Sequence, residues 1–155
     1  MATVDMTNGT KASAVGGGFF KLTNVVDFDA AETSKGSALA ANDIIQMLDV
    51  PANTEVVQVF LTTTTAAAGT ALTANVGLAD TGYTGYDVDG FLATASLKTA
   101  AGTTIGGGAA AYRAAGGFLF NEGAGTVDAT LATVTAVSTN PVVKVVAMCF
   151  DASSV

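Results

Sequence analysis

At 155 residues, half of them hydrophobic and only 12% charged, the chain is long enough for one real core but lacks the charge that coats an ordinary soluble domain. Its formal net charge is -7, with 13 acidic and 6 basic residues, and the basic ones (Lys11, Lys21, Lys35, Lys98, Arg113, Lys144) are thinly spread. Such a surface repels phosphate backbones and anionic headgroups, which argues against nucleic-acid and membrane partners.

There is no histidine and one cysteine. Imidazole acid–base catalysis, zinc and soft-metal centres and an internal disulfide therefore have no residues to work with. No run of apolar residues reaches the length of a membrane span. So much Ala, Val and Thr with so little charge would leave a large apolar surface in water, and burying it against copies of the same chain is the simplest remedy. A compact, threonine-coated monomer is the alternative that composition leaves open.

Residues 1–18 are rich in Thr, Ser, Gly and Ala, lack the apolar core of a signal peptide and end in Gly16-Gly17-Gly18. They are expected as a flexible or extended N-terminal arm preceding a single domain over 19–155. Regular structure starts at FFKLTNVVDF, where Phe20, Leu22, Val26 and Phe28 mark one face at a period near two and Lys21, Thr23 and Val25 the other. DAAETSKGSALAAND reads as loop with room for one weak helical turn.

IIQMLDV is a strand and PANTE a turn. In TEVVQVFLTTTT, Val57, Val59 and Leu61 share one face and Val56, Gln58 and Phe60 the other, as in a strand covered on both sides. AAAG connects it to TALTANVGLAD, where Leu72, Ala74, Val76 and Leu78 alternate cleanly, so the two strands are expected to form a hairpin.

DTGYTGYDVDGFL follows, from Asp80 to Leu92. Beyond it lie glycine clusters and the small-residue run AAAYRAA, with short strands expected around Leu92–Ser96 and Gly117–Phe120. GTVDATLATVTAVS is a long strand with Val127, Ala129 and Leu131 on one face. TNP turns the chain into a closing strand, VVKVVAMCF, in which Cys149 reads as a small buried hydrophobe. Seven or eight short, Thr- and Val-rich strands between Gly, Pro, Asn and Asp turns define an all-β chain, an antiparallel β-sandwich or jelly roll with an extended N-terminal arm.

Catalytic and cofactor chemistry finds no support in these residues. The glycine runs at 16–18 and 106–108 lack the Lys-Ser/Thr and helix of a phosphate loop. Asp87 and Asp89 could form a glycosidase-like carboxylate pair, but the chain has no tryptophan to stack a sugar. Asp80, Asp87 and Asp89 could hold calcium, yet the spacing lacks the final bidentate Glu of a calcium loop. The loop also reads as plain surface turn, or as a contact loop in which Tyr83 and Tyr86 lie among small polar neighbours. The contact reading is preferred, with Phe19, Phe20, Tyr83, Tyr86, Asp87 and Asp89 as the candidate interface and no catalytic, cofactor or metal residue. For one of Phe19 and Phe20 a plain core role is preferred to that of an anchor.

From residue 40 to about 95, the sequence ANDIIQMLDVPANTEVVQVFLTTTTAAAGTALTANVGLAD with its Asp/Gly/Tyr loop resembles small virion proteins of tailed bacteriophages, and VVKVVAMCF adds to the likeness. That resemblance implies a β-sandwich or jelly-roll decoration (cement) protein that clamps major capsid subunits on the capsid surface, often as a trimer, after synthesis in the host cytoplasm. Similar proteins sit in phage tails, and a receptor- or carbohydrate-binding sandwich is the other alternative. The small-residue region from Lys98 to Gly117 departs from the pattern. The motifs are structural, and no functional residue carries over.

Overall fold

The computed structural model describes residues 1–16, 18–79, 82, 84–98, 102, 104–106, 111–121 and 123–154. Eleven strands run through them: β1 (Thr3–Asp5), β2 (Lys11–Gly16), β3 (Phe19–Asp27), β4 (Ile44–Val50), β5 (Thr54–Thr65), β6 (Ala68–Gly77), β7 (Leu92–Ser96), β8 (Thr104–Gly106), β9 (Phe118–Phe120), β10 (Gly125–Thr139) and β11 (Val142–Asp151). Two short helices, α1 (Phe28–Lys35) and α2 (Ala111–Ala114), complete the secondary structure with two 3-10 turns.

The strands form two sheets, ordered β1-β4-β10-β6-β7 and β2-β3-β11-β5-β8, with β9 also on β5. β8 takes the Phe60–Thr62 stretch of β5 and β9 the Thr54–Val56 stretch, so together they fill one strand position. Without β1 and β2, the orders β4-β10-β6-β7 and β3-β11-β5-β8/β9 are those of a jelly roll, in which the chain keeps stepping from one sheet to the other. The pairings are antiparallel except β1 with β4.

The core lies between the sheets. β4, β10 and β6 contribute Ile45, Leu48, Ala129, Leu131, Leu72, Ala74 and Val76; β3, β11 and β5 contribute Leu22, Val26, Val143, Val145, Ala147, Cys149, Val56, Val59 and Leu61, all buried. This is the period-two pattern of a half-buried strand, and it matches the alternation read for β3, β6 and β10.

Four features depart from the sequence reading. β5 and β6 are not a hairpin: β5 pairs with β11, β8 and β9, and β6 with β10 and β7. The chain crosses between sheets at Ala66–Ala67, where Ala67 is buried and its N–H donates to Leu97 O at 2.9 Å. Within β5 the faces also shift. The register slips between Met148 and Cys149, pairing them with Gln58 and Val56, so Val56 rather than Val57 is the fully buried residue.

α1 is an eight-residue helix, not one turn. Asp27 caps its start, its side chain accepting from the Asp29 and Ala30 N–H groups, and Gly36 closes it with φ of 76°. Finally, in the described part of the stretch expected as an arm, Thr3–Asp5 (β1) pairs with β4 and Lys11–Gly16 (β2) with β3, with a 3-10 turn at Thr7–Gly9 between them. Asp43 helps to seat β1. Its buried carboxylate accepts from the Ala2 N–H at 2.8 Å, the Ala40 N–H at 2.8 Å and Lys35 Nζ.

Candidate interaction site

The β6–β7 connection is built tightly onto the sandwich. Leu78 N–H donates to Asp87 O at 2.8 Å, and Phe91 N–H to Val76 O at 2.9 Å. Tyr112 on α2 pins the loop from below. Its N–H donates to Gly90 O and its hydroxyl to Gly85 O, both at 2.9 Å, and its ring stacks edge-on against Phe91. Gly90 has no room for a side chain, since a Cβ would stand 2.2 Å from the Tyr112 ring. Burial, and then the charge of Asp87, push the Tyr112 hydroxyl well above its usual range, so it stays a neutral donor.

On this platform Tyr86 is exposed, while Asp87 and Asp89 are half-buried and adjacent, with Asp89 N–H donating to Asp87 Oδ1 at 3.2 Å. Hydrogen bonding to the Asp87 side chain, burial and the Asp87 charge together hold the Asp89 carboxyl above the usual carboxylate range. The other two members of the expected contact and calcium sets, Tyr83 and Asp80, lie outside the described residues. Among the described residues no group of three or more His, Cys, Asp or Glu side chains is placed to hold a metal ion.

Phe19 and Phe20 lie elsewhere, on β3 of the other sheet. Phe19 is 46% exposed and pairs in register with Phe150, the ring centroids 5.0 Å apart. Phe20 is half-buried and packs against the core. The structure thus groups Tyr86, Asp87 and Asp89 but separates them from the two phenylalanines.

The residues that sequence reading passed over are those around Phe19 on the outward face of the β3 sheet. The register sets Phe150 opposite Phe19, Met148 opposite Lys21, Val146 opposite Thr23 and Lys144 opposite Val25, and sets Lys11 of β2 opposite Thr23. Val25 is 58% exposed. This face is therefore apolar and studded with lysine. A groove of about 340 Å³ opens on it, lined by Gly9, Lys11, Thr23, Asn24, Val25 and Lys144. The signal was present in the alternation of Lys21, Thr23 and Val25, which composition alone treats as scattered charge. The outward positions of the other sheet are more polar, with Gln46, Thr126, Asp128, Thr130, Asn75 and Thr73 beside Ile44.

Cys149 offers no nucleophile: it is fully buried, and burial pushes its thiol up to about 12.

No protein-family model matches the chain, and no curated protein matches it in sequence. Two solved structures share its fold. A chain from the capsid of Ralstonia phage GP4 superposes with a TM-score of 0.63 at 16% identity, covering 96% of this chain and 97% of that one. A chain from the cyanophage Pam1 capsid asymmetric unit superposes with a TM-score of 0.51 at 18% identity, covering 90% and 89%. The class is that of two-sheet, jelly-roll-ordered β-sandwiches. This particular sandwich is similar over nearly its whole length to chains that occur in phage capsids.

Proposed function

We propose that the chain is a structural protein of a phage virion and, within it, a decoration (cement) protein that bridges major capsid subunits on the head surface as a homo-oligomer, with a trimer as the favoured state. The observation that carries this reading is the end-to-end likeness to the phage GP4 capsid chain, with neither chain leaving a large part uncovered. The molecule's own build is in keeping with it. What it offers a partner is an apolar, lysine-bearing sheet face and a pinned loop bearing Tyr86, and many copies of such a modest contact add up to tight attachment on a repeating lattice.

The test is direct. Purified virions of the encoding phage are separated into heads and tails, and each is analysed by quantitative mass spectrometry. The reading expects the chain in the heads, in copy number commensurate with the capsid lattice. Its presence in tails alone would replace decoration with a tail role, and its absence from virions would remove the reading altogether.

A further inference from the structure

The chain carries far more acid than base, so where its few cations sit decides what it can dock against. Lys35 is paired with Asp43, and Lys98 donates to the Gly69 and Thr70 carbonyls. Lys11, Lys21 and Lys144 make no ion pair among the described residues, and strand register puts all three on the outward face of one sheet. The acids that register puts on that face are Asp27, occupied in capping α1, and Glu55. Beside this face β2 is an edge strand whose six residues are all exposed, so both of its faces are uncovered.

At the far edge of the molecule the charged side chains described in the β6–β7 loop are both acids, while Lys98, just beyond β7, is held by the Gly69 and Thr70 carbonyls. β2 ends one sheet and β7 ends the other, and the β6–β7 loop lies at the β7 side. There Asp87 and Asp89 stand together beside exposed Tyr86, and among the described residues neither carboxylate pairs with a lysine. The two surfaces are complementary in charge, yet strand order sets them at opposite edges, so they meet only between molecules.

We propose that the Lys11–Lys144 groove is the docking site for a second copy of this chain, which presents the Tyr86–Asp89 edge of its β6–β7 loop to it. This deepens the proposed function and rests on its reading of the chain as an assembly subunit. A contact between two different patches is head-to-tail, and repeated it closes a ring where the rotation allows. Hydrogen bonding to the Asp87 side chain, burial and the Asp87 charge make Asp89 hard to ionise in the isolated chain, and a neighbouring ammonium offsets the last of these. The opposed charges steer and orient the contact, while Val25, Tyr86 and the apolar face supply buried area.

Two charge-reversed proteins test this by sedimentation velocity: Lys11→Glu with Lys144→Glu, and Asp87→Lys with Asp89→Lys. The parent is expected to self-associate, and to weaken about tenfold or more between roughly 0.05 M and 0.5 M salt as screening shortens. Each reversed protein is expected to weaken the association at least as much while melting as cooperatively as the parent. Mixed in equal amounts the two should associate again, because each then meets an opposite charge. A parent that is monomeric at low salt, a reversed protein that associates like the parent, or a mixture of folded reversed proteins that stays monomeric would overturn the proposal. If a reversal disturbs folding, the neutral changes Lys144→Gln and Asp87→Asn replace it and must each weaken association. A parent found in heads but monomeric in solution overturns this contact and leaves the virion reading standing. Restored association of a chain absent from virions supports the contact and sinks that reading.

Discussion

Gly77, at the end of β6, lies directly beneath Asp87: a Cβ on Gly77 would stand 2.0 Å from the Asp87 carbonyl oxygen. The same backbone stretch takes the Leu78 N–H into that carbonyl. Glycine is required here by space alone. The atom in the way is backbone, which cannot rotate aside.

Gly77→Ala is therefore expected to push the Asp87–Gly90 segment off the sheet and to cost roughly 1–3 kcal/mol, the usual range for overpacking. Thermal melting should report the loss, and amide exchange should show it concentrated at Leu78 and in the 84–90 segment. A variant that melts like the parent with unchanged exchange there would contradict the close approach.

Asn24 ties the two layers together from inside. Its Nδ2 donates to Met6 O and Met47 O, each at 2.8 Å, and its Oδ1 accepts from the Val25 N–H at 2.8 Å. Asn24→Ala leaves the buried Met47 carbonyl without its partner and is expected to cost roughly 1–3 kcal/mol. Asn24→Asp should cost more at neutral pH, because it turns a carboxylate toward two carbonyl oxygens. Chemical denaturation of the three proteins side by side checks the order.

Acid should loosen the seat of β1. Burial acts to raise the Asp43 carboxyl, but hydrogen bonds from Lys35 and from the Ala40 and Ala2 N–H groups, together with the Lys35 charge, outweigh it and hold it below the usual range. A depressed carboxyl stabilises the fold above its unfolded pKa of about 3.9 and loses that contribution as pH falls through the folded value. Asp43→Asn is expected to be less stable than the parent at pH 7 and to lose less on acidification. Urea midpoints measured from neutral to strongly acid pH check both halves.

Base should act through Cys149. Its thiol stays neutral in the fold up to about 12, whereas the unfolded chain ionises near 8.5. A raised folded pKa means stability that is intact below the unfolded value and declines as pH rises above it, by up to about 1.4 kcal/mol per pH unit. Cys149→Ala, although it loses some packing, should remove that decline. Alkylation at pH 8.5 should label the thiol only when the protein unfolds, and rapid labelling of the folded protein would refute its burial.

The parts of the fold that were legible in the sequence are those fixed by local alternation. Leu72, Ala74 and Val76 had to face a core, as did Val127, Ala129 and Leu131, and they do. What alternation cannot carry is which strand lies next door. A short link such as Ala66–Ala67 serves a hairpin or a step between sheets equally well, and the choice falls to β10 and β11, more than fifty residues on in the chain. The α1 helix had its cap at Asp27 and its stop at Gly36 in plain view, but its polar, small-residue interior gave no apolar stripe to read. Of the candidate contact residues, the Asp87–Asp89 cluster was visible as a charge run. Its support, Tyr112, was hidden in a stretch of alanines, and the lysine face became visible only when register brought β2, β3 and β11 side by side.

The proposed role, fastening a phage head, is tested most directly by adding purified protein to expanded, undecorated capsids of the encoding phage and following co-sedimentation and capsid melting together. Saturable binding that raises the capsid melting temperature is the predicted result; capsids that neither bind the protein nor melt later in its presence would contradict it.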